Sequence, residues 1–553
     1  MTSGSKTTTR RREPAEFGGT GGKRHRPPLV VWVPALFISV ALLLPPVYLA
    51  VRSLDGGFGE FAETVLDADT LLVLARSLLL ALTVTLATIC IAVPIAWLTV
   101  RTDLPFSRAW AVLAALPLVI PSYVGGFVLI SALGPRGMLQ GSLERFGVER
   151  LPEIYGFPGA ALALTLFTYP YVLLTTRSSL KNLDPSLEEA SRILGVGAWK
   201  TFFHVTLPNL RPGIVAGGLL VTLYTLSDFG VVSLLQYGTF SREIYIQYRS
   251  AFDRTPAAIL GLMLVCLTIA ILLVEGRSRG RAAYHRSSAG AARRHVTVRL
   301  GGWRWVAAGF CFGVVSLALL LPVGVLVFWL VRGLLGGESL NPLWTAALNS
   351  AYVSGLAALV AAACAIPVAV LAVRFRGRMS SAVEKLAYLG YALPGIALAL
   401  ALVFFGANYA PWAYQTTGLL VFAYVIHFLP QALGATRAGL LQVRPSVEEA
   451  ARGLGKGPLG VLASVTAPLA SPGIMAGAAL VFLTTMKELP ATLLLSPTGF
   501  ETLATRVWSA TGEAFFARAA APALLLIVIS AIPMYLLTIR DGTADEKKER
   551  GSE

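Results

Sequence analysis

The sequence predicts an all-α integral membrane protein of about twelve transmembrane helices, arranged as two parallel six-helix repeats. Three observations carry that prediction. Of 553 residues, 55% are hydrophobic and only 14% charged, with a mean hydropathy of +0.68, far from the balance of a water-soluble globular chain. Apolar runs of roughly 20 residues, long enough to cross a hydrocarbon core of about 30 Å, recur from end to end. Two blocks of the first half also return in the second.

The runs fall at residues 29–51, 75–99, 110–133, 158–177, 212–236, 256–275, 305–332, 350–373, 385–405, 416–434, 472–496 and 518–539, each expected to form one crossing helix. Pro94, Pro117, Pro170, Pro367 and Pro430 lie inside them. Membrane helices tolerate such prolines because neighbours re-satisfy the backbone groups they release. Cys90, Cys266, Cys311 and Cys364 also lie inside the runs, without the spacing of a metal site or a disulfide framework, and read as small buried hydrophobes.

Orientation follows from where the positive charges lie. Residues 1–28 hold seven Lys or Arg against two Glu and read as a disordered cytoplasmic tail, whereas "RSLDGGFGEFAETVLDADT" after the first run has one Arg and five acids. Alternation from a cytoplasmic N-terminus then places nearly all strongly basic loops, and the tail at 541–553, on the cytoplasmic face of the cell membrane. The net charge of +16 is accounted for by this asymmetry, and nucleic acid is not required as a partner.

Residues 276–304 carry eight Arg and no acid midway along the chain, which marks a cytoplasmic linker between a first domain at 29–275 and a second at 305–540. Six runs precede it and six follow, so the halves cross the membrane in the same direction. At an offset of 260, residues 184–214 match residues 444–474 at fifteen of thirty-one positions, and a second block aligns at an offset of 273 through Ser77/Ser350, Pro94/Pro367 and Arg101/Arg374.

The most similar stretch is "PSLEEASRILG" at 185–195 and "PSVEEAARGLG" at 445–455, in the cytoplasmic loop after the fourth run of each half. Each reads as a short surface helix. Ser186 and Ser446 suit the N-cap with Glu189 and Glu449 three residues on, and Gly195 and Gly455 suit a left-handed helix end. Glu188 and Arg192, like Glu448 and Arg452, stand one turn apart, so an internal ion pair of about 0.3–0.5 kcal/mol is one account. The other is a docking lever for a two-fold cytoplasmic partner. Ala190 and Ala450 leave room for a close approach, and the following segment leads into Pro212-Gly213 or Pro472-Gly473, expected to start the next run with proline in its first turn.

These segments, "EEASRILGVGAWKTFFHVTLPNLRPGI" and "EEAARGLGKGPLGVLASVTAPLASPGI", resemble the cytoplasmic signature of the permeases of binding-protein-dependent ABC importers. The first copy fits at Glu189, Ala190, Gly195, Leu207 and Pro208, while the second has Ala467 in place of the expected Leu. The resemblance implies a type I-like permease fold and no nucleotide site, cofactor or catalytic residue of the chain's own. It implies as partners two separate ATPase subunits, which dock on Glu188, Glu189, Ala190, Gly195, Glu448, Glu449, Ala450 and Gly455, and an extracytoplasmic binding protein. "LPLVIPSYVGGFVL", "SDFGVVSLL", "ALPGIALALALVFF" and "KELPATLLL" are similar to the fused ferric-iron permeases, so ferric iron is the expected cargo, with thiamine, polyamine and phosphonate permeases sharing the plan.

An ion-coupled secondary transporter with parallel repeats is the reading from another class, and it gives no reason for the duplicated segment. The phosphate-loop lookalike "GVGAWKT" lacks the glycine before Lys200 and a preceding strand. No metal-ligand spacing stands out. Ionisable residues within runs are costly, which singles out Asp228, its repeat partner Glu488 and the adjacent Lys487 as pathway or gate candidates. A local ion pair or helix cap is the alternative there.

Overall fold

The computed structural model describes residues 28–531 apart from residues 136, 148–151, 184, 251–252, 279–296 and 376. Helices dominate. Among the described residues the only β pairing is a parallel bridge between Thr102 and Val298. The basic tails, most of the linker and the end of the last run lie outside the described residues.

The first half runs through α1 (Leu29–Arg52), α2 (Ala68–Arg101), α3 (Ser107–Leu113), α4 (Ser122–Leu133), α5 (Phe157–Asn182), α6 (Pro185–Ile193), α7 (Leu207–Ser227), α8 (Gly230–Leu234) and α9 (Thr255–Ser278). The second repeats the order with α10 (Trp303–Val315) and α11 (Leu321–Leu335), then α12 (Asn341–Arg374), α13 (Arg378–Ala387), α14 (Gly395–Tyr409), α15 (Thr417–Gln442), α16 (Pro445–Gly453), α17 (Ala467–Met486), α18 (Pro490–Leu495) and α19 (Phe516–Ala531). Nine helices among the described residues are long and apolar enough to cross a membrane. Many large apolar side chains on them face outward, including Phe37, Leu82, Leu86, Leu317 and Leu359. An apolar surface of that extent belongs in lipid.

Several expectations need correction. The third and ninth runs, 110–133 and 385–405, are not straight spans but helix pairs bent by 95° and 104°. At each break a proline, Pro121 or Pro394, sits in extended backbone just ahead of α4 or α14, where its ring and missing N–H end one helix and open the next. The fifth and eleventh runs stop at Ser227 and Met486, and the chain restarts as α8 and α18. Pro212 and Pro472 lie inside α7 and α17 rather than in a first turn, because the helix already begins upstream. There a π turn, Phe202–Thr206 or Leu462–Thr466, stands just before Leu207-Pro208 or Ala467-Pro468. Proline brings no N–H to the carbonyl one turn back, and the widened turn takes up that mismatch. A third π turn, Ser316–Leu320, precedes Leu321-Pro322 in the same way. Two of the four cysteines, Cys90 and Cys266, are exposed on the outer surface of their helices rather than buried.

Each half is organised by one three-helix bundle, with α2, α5 and α7 in mutual contact in the first and α12, α15 and α17 in the second. Small residues permit close approach: a Cβ on Gly473 would come within 2.7 Å of the Ala435 carbonyl and 2.9 Å of the Gly439 Cα. The leading helices are exchanged. Helix α1 packs on α12, α13 and α14 of the other half, while α10 and α11 pack on α2, α3 and α4. Aromatic residues mark both exchanges, Tyr48 packing on Phe405 and Tyr409 at centroid distances of 5.8 Å each, and Trp329 donating its indole N–H to the Ser131 hydroxyl. The two halves are therefore one interlocked body.

Candidate functional site

The two repeated segments fold as α6 and α16 at the same end of the bundle, and the structure separates the roles of their adjacent glutamates. Glu448 turns inward, with only 4% of its surface exposed, and Glu188 does the same at 7%. Its Oε1 lies 2.9 Å from Arg374 Nη2, Arg374 Nε donates to the same oxygen at 3.1 Å, and the Thr466 hydroxyl donates to it at 3.1 Å. Arg374 Nη2 also donates to the carbonyls of Val443 at 2.9 Å and Leu440 at 3.4 Å. The expected helix-internal partner Arg452 stands at 3.9 Å from Oε2, a marginal contact.

The first half sets the equivalent residues in the same places, with a longer contact between arginine and glutamate. Arg101 Nε lies 3.5 Å from Glu188 Oε1, Arg101 Nη2 donates to the Leu180 carbonyl at 3.1 Å, and the Thr206 hydroxyl donates to Glu188 Oε1 at 2.9 Å. Each clasp thus joins the last turn of the second span, the end of the fourth, the short helix and the π turn that opens the next span. Removing one partner of so buried an ion pair strands the other, at a cost of about 3–5 kcal/mol. The side chain of Arg192 lies outside the described residues.

Capping differs from expectation in the second copy. Helix α16 starts at Pro445, with Arg444 at the N-cap and no side-chain cap bond, so Ser446 is inside the first turn. Proline is suited to that first position, which removes any need for a serine cap. The glycine ends are as expected, with φ of 77° at Gly195 and 83° at Gly455. Turned away from the clasps are the half-buried Glu189 and exposed Ala190 in α6, and exposed Glu449 and Ala450 in α16. Beside them stand Ile193, Leu194 and Leu454, all more than four-fifths exposed.

Asp228, Lys487 and Glu488 lie where the fifth and eleventh runs break. Asp228 Oδ1 accepts the Val231 N–H at 3.0 Å and the Asp228 carboxylate is also bonded by the Ser122 side chain, while Glu488 Oε1 accepts the Ala491 N–H at 3.3 Å. Both carboxylates therefore cap the short helices that follow. Lys487 does not pair with its neighbour Glu488. Its Nζ donates across the molecule to the Leu118 carbonyl of the first half, at 3.2 Å. Close by, the Phe229 ring packs on Trp508 of the second half at 5.0 Å.

A family model described as binding-protein-dependent transport system inner membrane component matches the chain twice, over residues 88–278 and 358–542. The chain belongs to that family. Its two matched regions make this a two-fold member, a transport permease component with the parallel repeats described above. An Fe(3+)-transport system permease protein FbpB 2 of Haemophilus influenzae is 34% identical over 93% of this chain and 98% of its own length. A ferric transport system permease protein FbpB of Actinobacillus pleuropneumoniae is 27% identical over 69% of this chain and 58% of its own. A molybdenum transport system permease protein ModB of Escherichia coli is 30% identical over 36% of this chain but 91% of its own length, the size of one half.

The sequence pointed to the permease segments and to the charged residues at the run breaks, but not to Arg101, Arg374, Thr206 and Thr466 as their partners. A signal was available in the repeat itself. Arg101 and Arg374, like Thr206 and Thr466, are retained in both halves at positions where a bundle surface needs neither.

Proposed function

We propose that this permease component imports ferric iron, taking it from an extracytoplasmic binding protein and releasing it to the cytoplasm by alternating access along the seam between the halves. Two copies of a separate ATPase subunit sit on the cytoplasmic side, one on α6 and one on α16. Both termini face the cytoplasm, as the basic bias of the flanking loops requires. One observation carries the reading: two equivalent helices at one end of the bundle are held by buried clasps, with Glu189, Ala190, Glu449 and Ala450 turned away from the bundle. The cargo is supported by the Haemophilus influenzae relative, whose name specifies Fe(3+) transport and whose similarity spans nearly the whole chain.

Asp228, Glu488 and Lys487 act in this reading as gate elements. They stand at the chain breaks beside contacts that join the halves. The permease itself needs only weak cargo contacts, since selectivity resides in the binding protein. The test is uptake into vesicles holding the permease, its ATPase and its binding protein, comparing ferric iron with thiamine and a polyamine. Iron uptake that requires ATP and is abolished by Glu189→Lys with Glu449→Lys is the expected result. Uptake that follows the proton gradient with ATP absent would overturn it in favour of an ion-coupled carrier.

A further inference from the structure

We propose that Arg101 and Arg374 are positioning residues, which fix the angle of α6 and α16 to the bundle so that motion imposed on either helix reaches three spans at once. The inference rests on the reading of α6 and α16 as ATPase docking helices. A helix of nine residues joined to the bundle by backbone alone would pivot about its ends and absorb a push.

The clasp removes that freedom. Arg374 closes α12, the second span of its half, and its guanidinium holds Leu440 and Val443 at the end of the fourth span together with Glu448 of the docking helix. Thr466, bonded to the same carboxylate oxygen, belongs to the π turn from which α17 rises. A planar fork suits this task, because one cation reaches a carboxylate and two carbonyls in fixed directions. In the first half Arg101, Leu180, Glu188 and Thr206 occupy the same places. The arginines repeat at an offset of 273 and the glutamates, leucines and threonines at 260, so loops of different length converge on one arrangement twice.

Consecutive glutamates then divide the work. Glu188 and Glu448 are spent inside the clasp, while Glu189 and Glu449 remain for the partner. The halves also differ in one respect. The end of the inter-half linker is tied to the first clasp, with Val298 N–H donating to the Arg101 carbonyl at 2.8 Å, Asp103 N–H to the Val298 carbonyl at 3.2 Å and Leu300 N–H to Asp103 Oδ1 at 2.7 Å.

The test uses the full permease in two paired variants. Glu188→Gln with Glu448→Gln keeps the shape of the clasp and removes its charge, and Arg101→Lys with Arg374→Lys keeps the charge and removes the fork. Spin labels at Leu194→Cys and Leu454→Cys, with the four native cysteines replaced by alanine, report the distance between the docking helices in detergent. Both variants are expected to remain monodisperse and to retain the ATPase on an affinity column. Their label-to-label distance distribution broadens, and ATP-driven uptake falls on the order of tenfold, the size expected when a charge-assisted bond is lost. Unchanged distances together with unchanged uptake would overturn the proposal. Loss of ATPase retention would also overturn it, since the pairs would then belong to the docking surface itself. If Glu189→Lys with Glu449→Lys leaves ATPase retention intact, the docking reading fails instead, and the label distances alone decide whether the clasps position the helices.

Discussion

Glu488 fills the space that a side chain at Gly395 would need: a Cβ built on Gly395 would lie 2.8 Å from Glu488 Oε1. The equivalent place in the first half holds Ser122, whose hydroxyl bonds the shorter Asp228. The two halves thus solve one packing problem in two ways, serine with aspartate and glycine with glutamate. Gly395→Ser alone is expected to lower the melting temperature of the purified permease, and Glu488→Asp alone to leave a gap the size of a methylene. The double variant, which copies the first half, is expected to recover most of the loss. A thermal double-mutant cycle measures the coupling, expected at about 0.5–3 kcal/mol for residues in contact.

Lys487 is bonded across the seam, from Nζ to the Leu118 carbonyl at the break of the third span. Replacing it by methionine keeps the length and removes the donor, leaving a half-buried carbonyl of the other half without it. The expected result is faster cross-linking between cysteines placed on the two sides of the seam. Uptake by the variant is expected to change in rate while its ATPase retention stays at the wild-type level. Unaltered cross-linking would show that the bond does not restrain the seam.

Close backbone approach at Gly473 carries a sharper expectation. In the membrane, helices gain little from hydrophobic burial against each other, so contact depends on how near the backbones come. Gly473→Val places branched carbons where the Ala435 carbonyl and Gly439 Cα already stand. Overpacking of a well-filled site typically costs about 1–3 kcal/mol. Reduced yield and a lower melting temperature in detergent are the measurements. The same change at Gly355, where nothing lies within 4 Å of the added Cβ, is the control and is expected to be mild.

The parts of the molecule legible in the sequence are those set by composition and spacing. Hydropathy located the runs, and the repeats at 260 and 273 located the two halves and the paired short helices α6 and α16. What it missed was tertiary. A hydropathy window averages through Pro121 and Pro394 and cannot tell a crossing from two arms at nearly a right angle. Glu188 and Arg192 stand one turn apart in sequence, which made a local pair the natural account, whereas the partner that closes the clasp is 87 residues away at Arg101. The exchange of α1 with α10 and α11 leaves no periodic mark, because both faces of those helices are apolar whichever half they meet.

The linker strand supplies the last prediction, and it concerns one half only. Val298 N–H donates to the Arg101 carbonyl, and no backbone bond of this kind reaches Arg374 among the described residues. Val298→Pro removes the donor and leaves the side-chain clasp of Arg101 chemically intact. Protease cleavage within residues 295–302 is expected to rise several-fold, because local opening of a short, singly bridged strand controls access. Spin-label mobility at Leu194 is expected to increase while that at Leu454 stays unchanged. An equal change at both labels would show that the linker acts on the whole bundle rather than on the first clasp.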